Sequence, residues 1–475
     1  MVGWPWPGRG SFERMTALDS AFLYVETERT PMHIGALTVF EGDPFFDESG
    51  AFRLEQVRAR VSERLHLVPK LRKRLAMVPL GQGRPVWVDD ESFDIADHVN
   101  LTVLPSPGTR EQLAELCCTL QMRVLDRDRP LWELWFVEGL DDGSVAMVEK
   151  VHHTLVDGIS GVEVAAALFD LEPAPPRPEV PKWHPVSPPK PAQLLVGSGY
   201  ERLVHPAEWW RTARALTRTP AAAARVATGM IDAVAAQTGL LRRRPTLNGR
   251  VGNNRELHAV SVPLEEVREA ARASDATVND AVLAVVGGAA RALLSHRGDD
   301  VHDLVLHVLV PVSIRSDGER GTLGNRVSGI LVPVPAGEPS ITERLLAVRE
   351  QMAAHKRRHQ SAGIEFILDG IELIPSGLLP VATPVVHHQP LVDVVVTNVP
   401  GPPFPLYFMG AKALEAVPIV PLTGNLTIGI AVLSYAGTLT IGVYSDTDSC
   451  PDVAVFVAAL RDGFEELTVA EIAGV

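Results

Sequence analysis

Two rhythms of apolar and polar positions alternate along this chain: short runs rich in β-branched and aromatic residues, and longer stretches with an apolar residue every three or four positions. His33 to Phe40 reads as a first strand, and Leu54, Val57, Val61 and Leu65 then form the stripe of an amphipathic helix. Thr109 to Leu125 predicts a second helix, with Thr109 as N-cap and Glu111 and Glu115 near its positive end. Arg129 to Val137 is a strand opened by a proline, and Val145 to Val148 is an apolar run suited to a buried strand. Ile159 to Leu171 returns to helical spacing at Val162, Ala165, Ala166 and Phe169.

The second half repeats the alternation. Leu257–Val262 predicts a strand, Leu264–Ala273 a helix, and Thr277 to Arg297 another helix with Thr277 as its cap. Val305–Val312 is a buried strand, Thr342–His359 a helix, and Asp393–Pro402 a strand closing in a tight turn. Strands around Leu426–Leu433 and Leu439–Tyr444 precede a last helix, Pro451–Leu467. Strands and helices alternating in this way predict an α/β protein.

At 475 residues the chain exceeds one ordinary core, so two domains are expected. The proline run from Pro173 to Pro191 can form neither a helix nor a central strand and marks a linker. The expected boundaries are a disordered extension at 1–14, a first domain at 15–172, linker and basic crossover at 173–255, and a second domain at 256–475. Met15 is a candidate natural start, since the patterned text begins at Thr16-Ala17-Leu18-Asp19.

Composition narrows the function. A formal charge of −14 argues against a general nucleic-acid binder, which needs a positive footprint. Hydrophobic residues make up 46% of the chain, enough for two cores and an apolar passage. Of the three cysteines, Cys117 and Cys118 are neighbours that rarely bond to each other; with Cys450 the odd total predicts a reduced, intracellular protein. No uninterrupted apolar stretch reaches the length of a spanning helix, so membrane contact is expected to be peripheral. Between Tyr200 and Arg250 nine arginines stand against three acids, beside Trp209-Trp210. Two readings remain open for that segment: a helix lying on anionic lipid, or a solvated crossover.

The candidate chemistry sits where the Val145–Val148 strand gives way to the following helix, at His152-His153-Thr154-Leu155-Val156-Asp157-Gly158. Successive strand residues face opposite ways, so one histidine should point into a site while the other packs or orients. Gly158 suits a sharp bend, and Asp157 can fix the local backbone or pair with a buried cation. Asp280, three residues after Thr277, completes a near capping box. No metal-ligand spacing, phosphate-cradling glycine loop or Gly-x-Ser-x-Gly elbow is visible in the sequence.

This His-His-x-x-x-Asp-Gly pattern resembles the signature of the chloramphenicol-acetyltransferase-like, CoA-dependent acyltransferases. Within that superfamily the chain resembles the bacterial wax ester synthase/diacylglycerol acyltransferase family, from Leu18-Asp19 to the last helix. The resemblance implies two chloramphenicol-acetyltransferase-like α/β domains with mixed sheets and a channel between them. It implies His153 as the general base, with His152, Asp157 and Gly158 completing the motif. Pro130, Leu131 and Trp132 would shape the site. Asn279 would donate to the acyl carbonyl or fix a loop, Asp280 would hold a helix start, and Arg315, or in its place Arg326, would pair with Asp157. The implied reaction carries a long-chain acyl group from acyl-CoA, a substrate rather than a cofactor, directly to diacylglycerol or a fatty alcohol. The alternatives are a hydroxyl on a polyketide-derived lipid, or a lipid-droplet coat that has lost catalysis. No metal is implied, and the expected place is cytoplasmic, peripheral to the inner membrane face or lipid droplets.

Overall fold

The computed structural model describes residues 12–155, 167–176, 179–204, 245–313, 327–358 and 391–472. In the first half these are strand β1 (Phe12–Arg14), helix α1 (Ala17–Val25), β2 (His33–Phe40), α2 (Leu54–Arg64), β3 (Lys73–Ala76), β4 (Val86–Asp89), β5 (Val99–Val103), α3 (Arg110–Met122), β6 (Trp132–Glu138), β7 (Val145–His152) and α4 (Pro191–Val204). The second half contributes β8 (Arg255–Pro263), α5 (Leu264–Ala273), α6 (Val278–His296), β9 (Leu306–Ser313), β10 (Val327–Val334) and α7 (Ile341–Arg358). It ends with β11 (Val394–Pro400), β12 (Tyr407–Phe408), β13 (Ala411–Ile419), β14 (Ile428–Tyr435), β15 (Thr438–Asp446) and α8 (Val453–Ile472).

Two six-stranded mixed sheets carry the fold, ordered β12-β13-β2-β7-β6-β5 and β10-β9-β11-β14-β15-β8. Helices α5 to α8 cover the second sheet around a core that α6 fills with residues such as Val282, Val285, Val286 and Leu293. α6 is the one described helix long and apolar enough to cross a membrane, and 67% of that stretch is buried inside the protein. Each such side chain taken out of water contributes roughly 1.5–3 kcal/mol, which explains its apolar length without a bilayer.

Sheet membership does not follow chain order. Ala413 to Ile419 pairs antiparallel with Gly35 to Phe40 of β2, so a strand from beyond residue 400 completes the first sheet. The first sheet has two differently covered faces. Phe40, Val145, Met147 and Val151 face a core shared with α2 and Phe408. Leu37, Val39, Ala146 and Val148 face α3 together with Leu257 and Tyr444 of the second half.

Two expectations are corrected. Phe12–Arg14 is a strand paired with Val86–Val88, so the disordered extension expected at 1–14 does not reach that far; residues 1–11 lie outside the described residues. The helix expected up to Leu171 ends at Leu168, because Asp170 leaves it to exchange backbone hydrogen bonds with Tyr407 at 2.7 and 2.9 Å. The Asp170 carboxylate is fully buried, held by Arg60 at 2.6 Å and by Arg64. The linker from Pro173 has no regular structure where described, before α4 begins at Pro191. Most of the basic stretch, with Trp209-Trp210, lies outside the described residues.

Candidate active site

β2 and β7 pair in a register that sets His33 directly opposite His152. Their approach depends on Gly35, where a Cβ would sit 1.9 Å from the Glu149 carbonyl oxygen. Side chains alternate across a strand. Lys150 and His152 therefore share the face of Ala146 and Val148, and Glu149 shares the opposite face with Met147 and Val151. Glu149 and Lys150 are both buried in this central strand. Burial pushes the Glu149 carboxyl up to about 7, and it draws the Lys150 ammonium down despite Glu133 at 3.6 Å.

His152 is 1% exposed. Its Nδ1 accepts the Thr154 backbone N–H at 3.1 Å and lies 2.9 Å from Thr154 Oγ1. A nitrogen that accepts carries no proton in the neutral ring, so the His152 proton sits on Nε2. That nitrogen lies 3.3 Å from Glu26 Oε1, in Coulombic reach although not aligned for a full hydrogen bond. Glu26 caps the end of α1, its backbone N–H donating to Phe22 O at 3.2 Å. Its Oε1 also accepts the Met32 N–H at 3.0 Å, and its Oε2 accepts from Arg127 at 2.9 Å. Burial alone would raise the Glu26 carboxyl. The contacts with His152 and Arg127 and the nearness of His33 outweigh this and hold it well below the usual carboxylate range. His33 donates from Nδ1 to Gln121 O at 2.9 Å, and its Nε2 lies 3.5 Å from Glu26. Burial, then the positive charge of Lys150, pushes His33 down to about 3, leaving it neutral.

His153 follows in the turn and is half-buried. Its backbone N–H donates to Met32 O at 2.8 Å, and its ring stacks on Phe22 with centroids 4.1 Å apart and planes 20° apart. Adjacent histidines thus stand in different surroundings: one locked in a buried polar cluster, one against an aromatic face at the turn. Pro130, Leu131 and Trp132 lie beside them, since the His152 N–H donates to Leu131 O at 3.0 Å. The buried Trp132 indole donates to Leu71 O at 2.7 Å and stacks on His98 at 4.6 Å.

Asn279 and Asp280 open α6. Asp280 Oδ2 accepts the Thr277 N–H at 2.8 Å while Thr277 Oγ1 accepts the Asp280 N–H, a complete capping box. Asn279 Oδ1 accepts from Asn398 of β11 at 3.5 Å, a long contact that ties the helix start to that strand. Asp157, Gly158, Arg315 and Arg326 lie outside the described residues. A small cleft, with room for about one water, is lined by Thr30, His33, Gln121, Arg255, Ile419 and Tyr444. Among the described residues no group of His, Cys, Asp and Glu is placed to hold a metal ion. Glu26, Phe22, Met32 and Arg127 are the members that sequence reasoning missed.

The model of the wax ester synthase/diacylglycerol acyltransferase catalytic domain matches residues 15–282, and that of the family's C-terminal domain matches 323–468. The chain belongs to that family. A probable diacylglycerol O-acyltransferase of Mycobacterium tuberculosis is 32% identical over 461 residues, covering 95% of each chain. A putative diacylglycerol O-acyltransferase of the same organism is 30% identical over 471 residues, 97% of this chain and 90% of that one. Among solved structures, the wax ester synthase/diacylglycerol acyltransferase from Marinobacter aquaeolei VT8 superposes with a TM-score of 0.66 at 24% identity, covering 98% of this chain and 100% of that one. The trichothecene 15-O-acetyltransferase from Fusarium sporotrichioides superposes at 0.64 with 11% identity, covering 98% and 97%. The family member described here is therefore an O-acyltransferase with the two-halved mixed α/β fold expected from its histidine motif.

Proposed function

We propose that the protein carries a long-chain acyl group from acyl-CoA to the hydroxyl of diacylglycerol or a fatty alcohol, with His153 as general base. The observation that carries the assignment of roles is the contrast between the two histidines. His152 has its Nδ1 engaged by Thr154 and its Nε2 turned to Glu26, while His153 sits outside that cluster on the face of Phe22. His153 takes the acceptor's hydroxyl proton as the oxygen attacks the thioester carbonyl. The tetrahedral intermediate collapses, the carbon–sulfur bond breaks, and the imidazolium returns its proton to the departing thiolate. Histidine suits both steps because its ordinary pKa lies near neutrality. Asn279 and backbone amides are candidates to stabilise the oxyanion. Asp157 with Arg315 would hold the far end of the loop.

Both proposed acceptors reside in lipid, so the reading places the enzyme at a membrane or droplet surface on the cytoplasmic side. The test is purified protein given palmitoyl-CoA with hexadecanol and dipalmitoylglycerol in competition, products resolved by thin-layer chromatography. Ester formation and CoA release are expected, with His153→Ala reducing both at least 100-fold at unchanged melting temperature. Full turnover by that variant would remove His153 from the role of base.

A further inference from the structure

We propose that Glu26 is a positioning residue for acyl transfer, holding the backbone on both sides of His153 without touching substrate. Two routes lead from its carboxylate to the base. One runs through Oε1 to the Met32 N–H at 3.0 Å, and from Met32 O to the backbone N–H of His153 itself at 2.8 Å. The other runs from Oε1 to His152 Nε2 at 3.3 Å, and from His152 Nδ1 to the backbone N–H of Thr154 at 3.1 Å. The second route works only in one tautomer: an anion at Nε2 keeps the proton there, which frees Nδ1 to accept. As the cap of α1, the same residue also fixes the helix end whose Phe22 stacks on the His153 ring.

The groups facing the carboxylate fit this role. Arg127 bridges Oε2 at 2.9 Å from a half-exposed position and supplies the neutralising charge. His33 stands 3.5 Å from Oε1 on β2, and Lys150, paired with Glu133, lies behind it on β7. The Glu26 side chain is 2% exposed. A buried carboxylate that supports a turn by choosing a neighbouring imidazole's tautomer is a device for orientation, because small misplacements of a base lose large factors in rate.

The inference rests on His153 being the base, and the test separates the two. Glu26→Gln keeps the shape but removes the anion: with its amide oxygen at the Oε1 place its N–H2 faces Arg127, and turned over its N–H2 faces the Met32 N–H and the His152 Nε2–H, so either way a donor is set against a donor. We expect kcat to fall about 10- to 100-fold with KM for palmitoyl-CoA within twofold, and Glu26→Asp to recover part of the loss. In spectra of protein carrying 15N-labelled histidine, His152 should report an Nε2–H ring in the parent, and loss of the anion in Glu26→Gln should shift the balance toward the Nδ1–H ring. Arg127→Gln, at a half-exposed site that threatens the fold less, should lower kcat by a smaller factor. Full kcat in both Glu26→Gln and Arg127→Gln, a loss confined to KM, or an unchanged His152 tautomer would overturn the proposal. Turnover surviving in His153→Ala measured alongside would instead sink the underlying reading, while the tautomer result would still stand or fall by itself.

Discussion

Replacing Glu149 by glutamine should make the protein more stable, and increasingly so as the solution becomes more alkaline. Glu149 lies in the middle strand of the first sheet, and burial raises its carboxyl from 4.5 to about 7. An acid whose folded pKa lies above its unfolded one binds more protons folded than unfolded between those values, so folding stability falls as pH rises through that window. Each pH unit costs about 1.4 kcal/mol, so the whole window removes about 3 kcal/mol by pH 8 and about 0.8 kcal/mol at pH 5. Glutamine has the same shape and no charge to bury. Its amide adds a constant desolvation term, which cancels when the variant's gain at pH 5 is subtracted from its gain at pH 8. Denaturation midpoints of parent and variant at the two pH values, converted with a common m-value, should therefore differ by about 2 kcal/mol more at pH 8. An equal gain at both pH values would refute the reasoning, because the carboxyl would then be titrating in the folded protein as it does in the unfolded chain.

Other outcomes follow from packing and pairing already described. Trp132→Phe removes the indole donor to Leu71 O and strands a buried carbonyl, which should lower stability by about 1–3 kcal/mol, read as a lower thermal midpoint with KM unchanged. Asp170→Asn takes the charge from a fully buried carboxylate between Arg60 and Arg64. It should cost about 3–5 kcal/mol, checked by chemical denaturation at high and low salt. A loss below 1 kcal/mol there would mean the two guanidiniums find solvent when their partner goes.

Much of the fold was legible because its signals are local. Thr109 and Thr277 announce helix starts by residues within four positions of themselves, and both cap as read. Leu264–Ala273 is a helix between the very residues its period marked. What escaped depends on distant partners. β13 is a modest run of nine residues whose reason to be a strand is β2, more than 370 positions earlier. Phe169 has helical spacing, yet the chain has left the helix there because Asp170 finds Tyr407 and two arginines. The histidine motif was readable from its pattern, and the Pro130-Leu131-Trp132 segment lies beside it, with Leu131 O accepting the His152 N–H. Glu26 was not: on paper it is one acid after an apolar helix. Only the register that puts His33 opposite His152 turns it into the centre of a buried cluster.

The strand that β13 lends to the first sheet bears on how this protein can be made and broken. A fragment ending in the proline-rich linker would leave the eight-residue β2 as a bare, mostly apolar edge, the kind of surface that recruits other chains into aggregates. Ribosomes must therefore finish most of the polypeptide before its front half can close. Splitting it for expression should succeed only when both pieces are produced together, so that the later one can deliver its loan.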